Sequence, residues 1–381
     1  MDTTTVRDTE VRPDAAGLRN ARRQRVLDAM ELAGIDILIS GREPNARYIA
    51  GVPRLWINGS RPFGPGCVIA RATGSIHIVS TWDEGVPDDI PHENLHGITF
   101  NGANTLAWLT KVEGASTAKT VATDGLMPST LGLIRKAFPS AELVDGEELM
   151  RRVRAVKLPD EVDAIRRAVR VAEDALLAAE AALTPGVTER QITAVFMGHM
   201  AEAGVTTPST QDIAWITSRT NAWARSSRDT AVAADDLVAL DGGVIADGYV
   251  GEVGWTAAVE GVAKVGMSLV SAWDGLWDRL LAACRPGNPA SSLLDAYITA
   301  GIPLPPMPVA RGLGNGNDMP LVTAGLPETA AALRLEAGMV LAVTAYVWGD
   351  GVGALYGKAP VLLTDAGPEL LSAKPLQDSR S

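Results

Sequence analysis

The sequence has few or none of the features that mark several large classes of protein. Its two cysteines, Cys67 and Cys284, are far apart and form no CxxC or Cys/His pair, so neither a disulfide framework nor a zinc knuckle is predicted. No apolar run approaches the roughly 20 residues of a membrane span. Residues 1–17 are polar and lack the apolar segment of a secretory signal. We therefore expect a disordered N-terminal tail over residues 1–17, on a cytoplasmic protein.

The charge balance argues against a polyanionic partner. The formal net charge is −11 at pH 7, and the basic clusters at residues 19–25 and 151–157 lie in stretches with helical spacing. A solvated helix face explains such clusters better than a binding patch. We expect neither a nucleic acid nor a membrane as partner. The chain has 381 residues, of which 46% are hydrophobic, so a large core divided between two domains is expected.

The periodicity of apolar residues divides the chain near residue 156. Residues 18–34 have apolar side chains at helical spacing, and short β-like runs alternate with helical patterns after them. A Pro-Asp-Glu helix start at residues 159–161 then opens a second stretch of 3.6-residue periodicity. The predicted fold class is α/β (α+β), with one domain over residues 18–155 and a second over residues 156–381.

The second domain contains a weak internal repeat. A helix-like segment at residues 184–205 is echoed at 285–302, and a strand-like segment at 235–244 is echoed at 337–347. The offset is about 101 residues for the helices and about 103 for the strands, which predicts a duplicated helix-plus-strand unit. Two halves related by a pseudo-twofold axis share a crevice, and we expect Asp241 and Thr344 to face each other across it.

Several sequence blocks in the second domain and its linker resemble those of one enzyme family. The linker has the pattern R-x-x-K-x-x-x-E-[IV] at residues 154–162, followed by PGVTE (185–189), LVALDGGVIADGY (237–249), LEAGMVLAV (335–343) and VLLTDAG (361–367). These blocks are similar to those of the pita-bread family of creatinase, Xaa-Pro dipeptidase, aminopeptidase P and methionine aminopeptidase. The resemblance covers nearly the full length. It implies a creatinase-like N-terminal domain followed by a pseudo-twofold pita-bread domain.

The resemblance also identifies the positions of a metal site. Catalytic members of the family hold two divalent ions with two Asp, one His and two Glu. The first Asp position is Asp241 here, and the other four positions fall on Glu252, Arg311, Thr344 and Lys358. Arginine and lysine supply no metal ligand at neutral pH. We therefore predict a divergent member without the dinuclear metal site and without a cofactor.

The replacements keep the predicted crevice near electrical neutrality. The family site sets four carboxylates against two dications, whereas here Asp241 and Glu252 face two monocations, Arg311 and Lys358. Because buried, unpaired carboxylates are costly, these cations are expected to stand in for the metal charge. In a chemical site, the two cations bind a substrate carboxylate or oxyanion. Glu252 or Asp241 then acts as the general acid or base.

Further residues are assigned to substrate binding. Thr344 and Tyr356 offer hydroxyl donors, and the family's substrate-contacting histidine falls near Arg225 or Ser226. Asp318 falls at the position of the family's His-Glu pair and is placed in the same group.

The loop PRLWINGSRPFGP at residues 53–65 predicts a homodimer. Creatinase-like dimers offer an aromatic residue and an arginine from this loop to the site of the partner subunit. Trp56, Arg61 and Phe63 are the candidates for these contacts.

The sequence leaves three functions open. Creatinase hydrolyses a C–N bond in a small guanidino acid without a metal, which favours a metal-independent enzyme that hydrolyses a C–N bond in a small carboxylate-bearing substrate. None of the four histidines of the chain lies at the position that creatinase uses. A metal-free crevice with acids and cations also suits a lyase, dehydratase or cyclase of specialised metabolism. The third possibility is a catalytically inactive binding protein, whose charged residues form a structural network.

Overall fold

The computed structural model describes residues 16–52, 65–80, 85–97, 101–225, 229–259 and 266–373. Contacts between Cα atoms divide the chain into two compact units, with Arg154 in the first and Ala155 in the second. Most of the expected tail lies outside the described residues, and the first described helix begins at Ala16. Among the described helices, none combines the length and apolar character needed to cross a membrane.

The first unit is a mixed sheet with helices on both faces. Its helices are α1 (Ala16–Leu32), α2 (Glu43–Ala50), α3 (Gly102–Leu109), α4 (Pro128–Ala137) and α5 (Gly146–Ala155), and its strands are β1 (Ile37–Ser40), β2 (Cys67–Ala70), β3 (Ile76–Val79), β4 (Leu95–His96), β5 (Thr120–Thr123) and β6 (Glu142–Asp145). The described strands lie in the order β4-β3-β2-β1-β5-β6. Successive residues of β1 point to opposite faces, so Ile37 joins one apolar cluster and Leu38 the other.

The second unit is an antiparallel sheet with its long helices on one face. Its helices are α6 (Pro159–Ala181), α7 (Glu189–Glu202), α8 (Met267–Ala283), α9 (Ser292–Ala300) and α10 (Glu328–Ala331), and its strands are β7 (Ala214–Ile216), β8 (Leu237–Ala246), β9 (Tyr249–Ala258), β10 (Ala310–Leu313), β11 (Asn317–Val322), β12 (Val340–Gly349), β13 (Gly353–Thr364) and β14 (Gly367–Leu370). Among the described strands the order is β11-β10-β12-β13-β9-β8-β7, and β14 pairs with β13.

Helix α6 confirms the predicted helix start. Pro159 is the first helical residue, and the Glu161 carboxylate accepts a hydrogen bond from the backbone N–H of Leu158 at 2.9 Å. The helix packs so closely on β9 that a Cβ atom on Gly251 would lie 2.2 Å from the backbone carbon of Ala168. Glycine is therefore required at this contact.

The alternation of side chains places the core and a polar face on opposite sides of this sheet. Leu240 and Val343 belong to the large apolar cluster that includes residues of helices α6 to α9. Their neighbours Asp241 and Thr344 point to the other face, since successive strand residues alternate. The helix-free face is therefore the place to look for a site.

The two predicted repeats meet where β9 pairs with β13. A single row of paired residues crosses the four central strands, in the order Asp241, Gly254, Lys358 and Thr344. Asp241 and Thr344 share this row, but they do not face each other directly as expected. Two strands lie between theirs, because the crevice is built on a continuous sheet.

Candidate functional site

Lys358 joins two acidic side chains at the centre of the helix-free face. Its Nζ lies 2.7 and 2.9 Å from the two carboxylate oxygens of Asp241 and 3.3 Å from Oε2 of Glu252. The side chains of Lys358, Asp241 and Glu252 are 12%, 15% and 0% exposed. The ammonium group therefore neutralises carboxylates that have lost most of their contact with water.

Gly254 makes the contact between Lys358 and Asp241 possible. It lies between them in the row of paired residues. A Cβ atom on Gly254 would lie 2.6 Å from the ring of Tyr356 and 2.8 Å from the carbonyl oxygen of Leu240, both too close for real atoms. The missing side chain leaves room for the Lys358 stem to cross one strand and for the Tyr356 ring to lie beside it.

Arg311 completes the cluster from strand β10. Its Nη2 donates a hydrogen bond to Oε1 of Glu252, and Ser209 Oγ donates to the same oxygen at 3.1 Å. The pairing of β10 with β11 shifts register between Arg311 and Gly312, and such irregularities redirect side chains. Glu252 is thus held by both cations and by a serine that the sequence analysis missed, because Ser209 lies in no motif.

The charges fix the protonation states of the cluster. Burial acts to raise the pKa of Glu252, but the charges of Lys358 and Arg311 outweigh it and hold this pKa below the ordinary 4.5. Burial acts to lower the pKa of Lys358, but Asp241 and other neighbours raise it above the ordinary 10.5. Burial raises the pKa of Tyr356 well above 10.0, and the charge of Asp241 adds to the effect. At neutral pH, Glu252 is therefore an anion, Lys358 a cation and Tyr356 a neutral phenol.

These states predict how stability depends on pH. Glu252 stabilises the fold above its unfolded pKa of about 4.5, and this contribution is lost as the pH falls through its lower folded pKa. The contribution of Lys358 is complete below its unfolded pKa of about 10.5 and is lost as the pH rises toward its higher folded pKa. The free energy of unfolding, measured with urea at a series of pH values, is expected to be constant around neutral pH. It is expected to fall along an acidic limb at low pH and along an alkaline limb at high pH. The acidic limb is expected to flatten in Glu252→Gln, and an unchanged acidic limb would contradict the assignment.

A cavity of about 90 Å³ lies beside the cluster. Its walls are formed by Arg225, Asp241, Met307, Pro308, Arg311, Ala342, Thr344, Tyr356 and Lys358. Of the two carboxylates in the cluster, Asp241 reaches the cavity, whereas Glu252 is fully buried and is not part of its wall. The geometry therefore separates two acids that the sequence treated as interchangeable.

The cavity brings together most of the residues that the sequence assigned to the site. Arg225 reaches it from the loop after β7, where its guanidinium lies 4.0 Å above the Trp215 ring and its Nη1 is 3.0 Å from an oxygen of Asp212. Thr344 and Tyr356 reach it from β12 and β13. Met307, Pro308 and Ala342 were missed, because apolar residues without a motif give no sequence signal of a site.

Asp318 is the exception among the described candidates. It is 1% exposed, and its Oδ2 accepts a hydrogen bond from Lys157 Nζ at 3.0 Å in a pair that lies outside the cavity wall. We therefore assign Asp318 to the stability of the β10–β11 hairpin rather than to substrate binding. Ser226, Trp56, Arg61 and Phe63 lie outside the described residues. The contact of the loop with a partner subunit, and the homodimer, stay predictions.

Comparison with known families accounts for this combination of units. The Creatinase/Prolidase N-terminal domain matches residues 22–156, and Metallopeptidase family M24 matches residues 163–365, more than half of the chain. The chain belongs to metallopeptidase family M24. This membership confirms the predicted relation to the creatinase and Xaa-Pro peptidase family, and it identifies an enzyme family of hydrolases.

Solved structures of M24 proteins share the fold over nearly the whole chain. The prolidase from Pyrococcus horikoshii OT3 is 18% identical, with 93% of this chain and 99% of that chain covered and a TM-score of 0.75. Dipeptidase PepE from Mycobacterium ulcerans is 20% identical, with coverage of 96% and 98% and a TM-score of 0.74. At such identities the likeness establishes the fold and not the activity, and a search of curated proteins found no match.

The side chains of this M24 protein do not fit two divalent metal ions. Arg311 and Lys358, at two positions where the sequence resemblance predicts family ligands, bring positive charge rather than lone pairs. The ammonium of Lys358 already contacts both carboxylates that would bind a metal. Within the described ranges, no three His, Cys, Asp or Glu side chains converge as a metal ligand set.

Proposed function

We propose that this M24 protein is a metal-independent enzyme that hydrolyses a C–N bond in a small carboxylate-bearing substrate. The proposal rests on one observation above all: two cations, Arg311 and Lys358, lie in the cavity wall beside an acid, Asp241, at positions where the sequence resemblance places metal ligands of the family. Membership of the family suggests hydrolysis as the class of reaction. The two cations of the cluster provide the positive charge that metal ions would otherwise provide.

Each polar side chain in the cavity wall has a distinct role in the proposed site. Arg225 and Arg311 bind the substrate carboxylate, because a planar guanidinium matches the two oxygens of a carboxylate. Tyr356 stays protonated and donates a hydrogen bond to the oxygen that becomes negative in the transition state. Lys358 holds the carboxylate of Asp241 in place through contacts with both of its oxygens.

Asp241 acts as the general base in this scheme. Its carboxylate takes a proton from a water molecule, whose oxygen then attacks the carbon of the C–N bond. The protonated Asp241 returns this proton to the departing nitrogen, so that the carboxylate is regenerated as the bond breaks. Glu252 takes no part in proton transfer, because it is fully buried and bound by both cations.

Elimination is the second candidate, favoured by the neutral phenol of Tyr356 beside the carboxyl group of Asp241. A base and an acid on one cavity wall suit removal of a proton and protonation of a leaving group. The two reactions differ in their products. Hydrolysis in H₂¹⁸O introduces a labelled oxygen, whereas elimination gives an unsaturated product without label.

A ligand and activity screen with EDTA present tests the proposal. The panel contains creatine, other guanidino acids, Xaa-Pro dipeptides and small carboxylates. A ligand at a hundred times its Kd is expected to stabilise the protein by about 2.7 kcal/mol, a visible shift in Tm. For a substrate found in this way, Asp241→Asn is expected to lower kcat by about 10²- to 10⁴-fold.

Asp365→Asn, in the exposed turn between β13 and β14, is the matched control and is expected to leave kcat unchanged. Full activity in Asp241→Asn, or activity that EDTA abolishes and Mn²⁺ restores, would contradict the proposal. Binding without turnover across the panel would favour an inactive binding protein.

A further inference from the structure

The helix-free face of the sheet is charged in one half and aromatic in the other. Two residues along from Thr344 and Lys358, strands β12 and β13 present Tyr346 and Tyr356, which are paired in register. The Trp215 ring packs edge-on against Tyr356 at 5.3 Å. We call this aromatic half, made of Trp215, Tyr346 and Tyr356, the aromatic band, and it adjoins the charged cluster at Tyr356.

The loop of residues 218–225 is held over the aromatic band. The Tyr346 hydroxyl donates a hydrogen bond to the carbonyl of Ala222, and Trp348 Nε1 donates to the carbonyl of Ser218 at 2.7 Å. These bonds place two planar side chains of the loop on the band. Trp223 stacks on Tyr346 with ring centroids 5.4 Å apart, and Arg225 lies over Trp215.

Trp223 remains largely in water although it is stacked on one side. It is 44% exposed, so a wide part of its indole is left uncovered by the residues that the structure describes. Arg225, two residues along the same loop, is part of the cavity wall, and Met307 contributes a thioether to that wall and packs against the aromatic band. Indole, guanidinium and thioether groups all favour contact with a flat aromatic ring.

The size of the cavity decides how much of a ligand it encloses. At about 90 Å³ it is smaller than the cavity of about 150 Å³ that encloses benzene in another protein. It therefore holds a carboxylate or amide head group but not an aromatic ring. Arg225 and Met307 belong both to the cavity wall and to the contacts of the aromatic band.

We infer that the substrate carries an aromatic ring separated from its carboxylate by a short linker, and that Trp223 binds this ring at the mouth of the cavity. The inference rests on the proposed function, because it places the carboxylate of the substrate in the charged cavity. The substrate class is an aryl-bearing acid in which a short amide or alkyl linker separates ring and carboxylate. Trp223 determines specificity, while Asp241 and the cations act on the head group.

A matched pair of ligands isolates the contribution of the ring. Hippurate and N-acetylglycine share the same amide and carboxylate, and they differ in that hippurate has a phenyl ring in place of a methyl group. Calorimetric titration with EDTA present is expected to show about tenfold tighter binding of hippurate. Trp223→Ala is expected to remove this advantage while leaving the Kd of N-acetylglycine unchanged, and Trp223→Phe is expected to keep most of it.

The control variant is Leu177→Ala, which truncates an apolar side chain of similar exposure (39%) on helix α6. It is expected to change neither Kd. Binding of N-acetylglycine without any advantage for hippurate, or an advantage that persists in Trp223→Ala, overturns the aromatic subsite and leaves the proposed function standing. Absence of binding by both ligands overturns the subsite and the carboxylate-binding role of the cavity together.

Discussion

Replacement of Lys358 by methionine is expected to lower the free energy of unfolding by about 3–5 kcal/mol at pH 7. Methionine keeps the apolar stem but removes the charge, so Asp241 and Glu252 lose the cation that lies within 2.7 to 3.3 Å of their oxygens. Glu252 then keeps its hydrogen bond to Arg311, while Asp241 loses the ammonium that contacts both of its oxygens. Urea unfolding of the purified variant measures the loss directly.

The pH dependence of this loss distinguishes electrostatics from packing. The difference from the natural sequence is expected to shrink below about pH 4.5, the ordinary pKa of a glutamate, where protonated carboxylates no longer need the cation. Arg285→Met, at an exposed site after α8, removes a charge from the same unit and is expected to change stability by less than about 0.5 kcal/mol. A loss below about 1 kcal/mol for Lys358→Met at pH 7, or one that is independent of pH, would argue against a buried ionic cluster.

A version of the cluster without charges tests whether unpaired charges cause the loss of stability in Lys358→Met. Combining Lys358→Met and Arg311→Met with Asp241→Asn and Glu252→Gln removes both cations and both carboxylates of the cluster. Because a buried ion group exchanged for uncharged groups of similar volume is often tolerated, the combined variant is expected to recover most of the stability lost in Lys358→Met. The cluster would then be maintained for function rather than for stability, since the fold itself does not require its charges.

The sequence was sufficient for the fold because fold information is spread over many residues. Apolar periodicity and the Pro159 helix start predict α6, and the blocks around Asp241 and Thr344 predict the paired halves of the second unit. The family correspondence also singled out Lys358 and Arg311, whose side chains both contact Glu252. It did so because each lies in a strand whose register is fixed by the buried residues on either side.

The arrangement inside the site could not be predicted in the same way. Asp241 reaches the cavity whereas Glu252 is fully buried, and no spacing in the sequence encodes this difference. Asp318 matched a family position, yet its carboxylate pairs with Lys157, which is 161 residues away in the chain. Such choices are made by packing between distant segments and are visible only in three dimensions.

Substitution of three residues is expected to create a metal site in this crevice. Arg311→His, Thr344→Glu and Lys358→Glu together replace two cations and a hydroxyl with an imidazole and two carboxylates, which join Asp241 and Glu252. The row of paired residues across β8, β9, β13 and β12 already places three of these positions on one face of the sheet. The combined variant is expected to bind two Mn²⁺ ions per chain, because four carboxylates and an imidazole suit hard and borderline cations.

Metal-dependent stability provides the readout for this variant. Without metal, four carboxylates repel one another on a face that has lost both cations, so a low Tm is expected in EDTA. Mn²⁺ at a hundred times its Kd is expected to restore about 2.7 kcal/mol, while the natural sequence and Lys358→Met show no shift with Mn²⁺. If the protein with its natural sequence binds two Mn²⁺ ions, the metal displaces the ammonium of Lys358 from the carboxylates. This result would contradict a metal-independent site. A combined variant that folds but ignores Mn²⁺ would show instead that the crevice no longer has the dimensions of a metal centre.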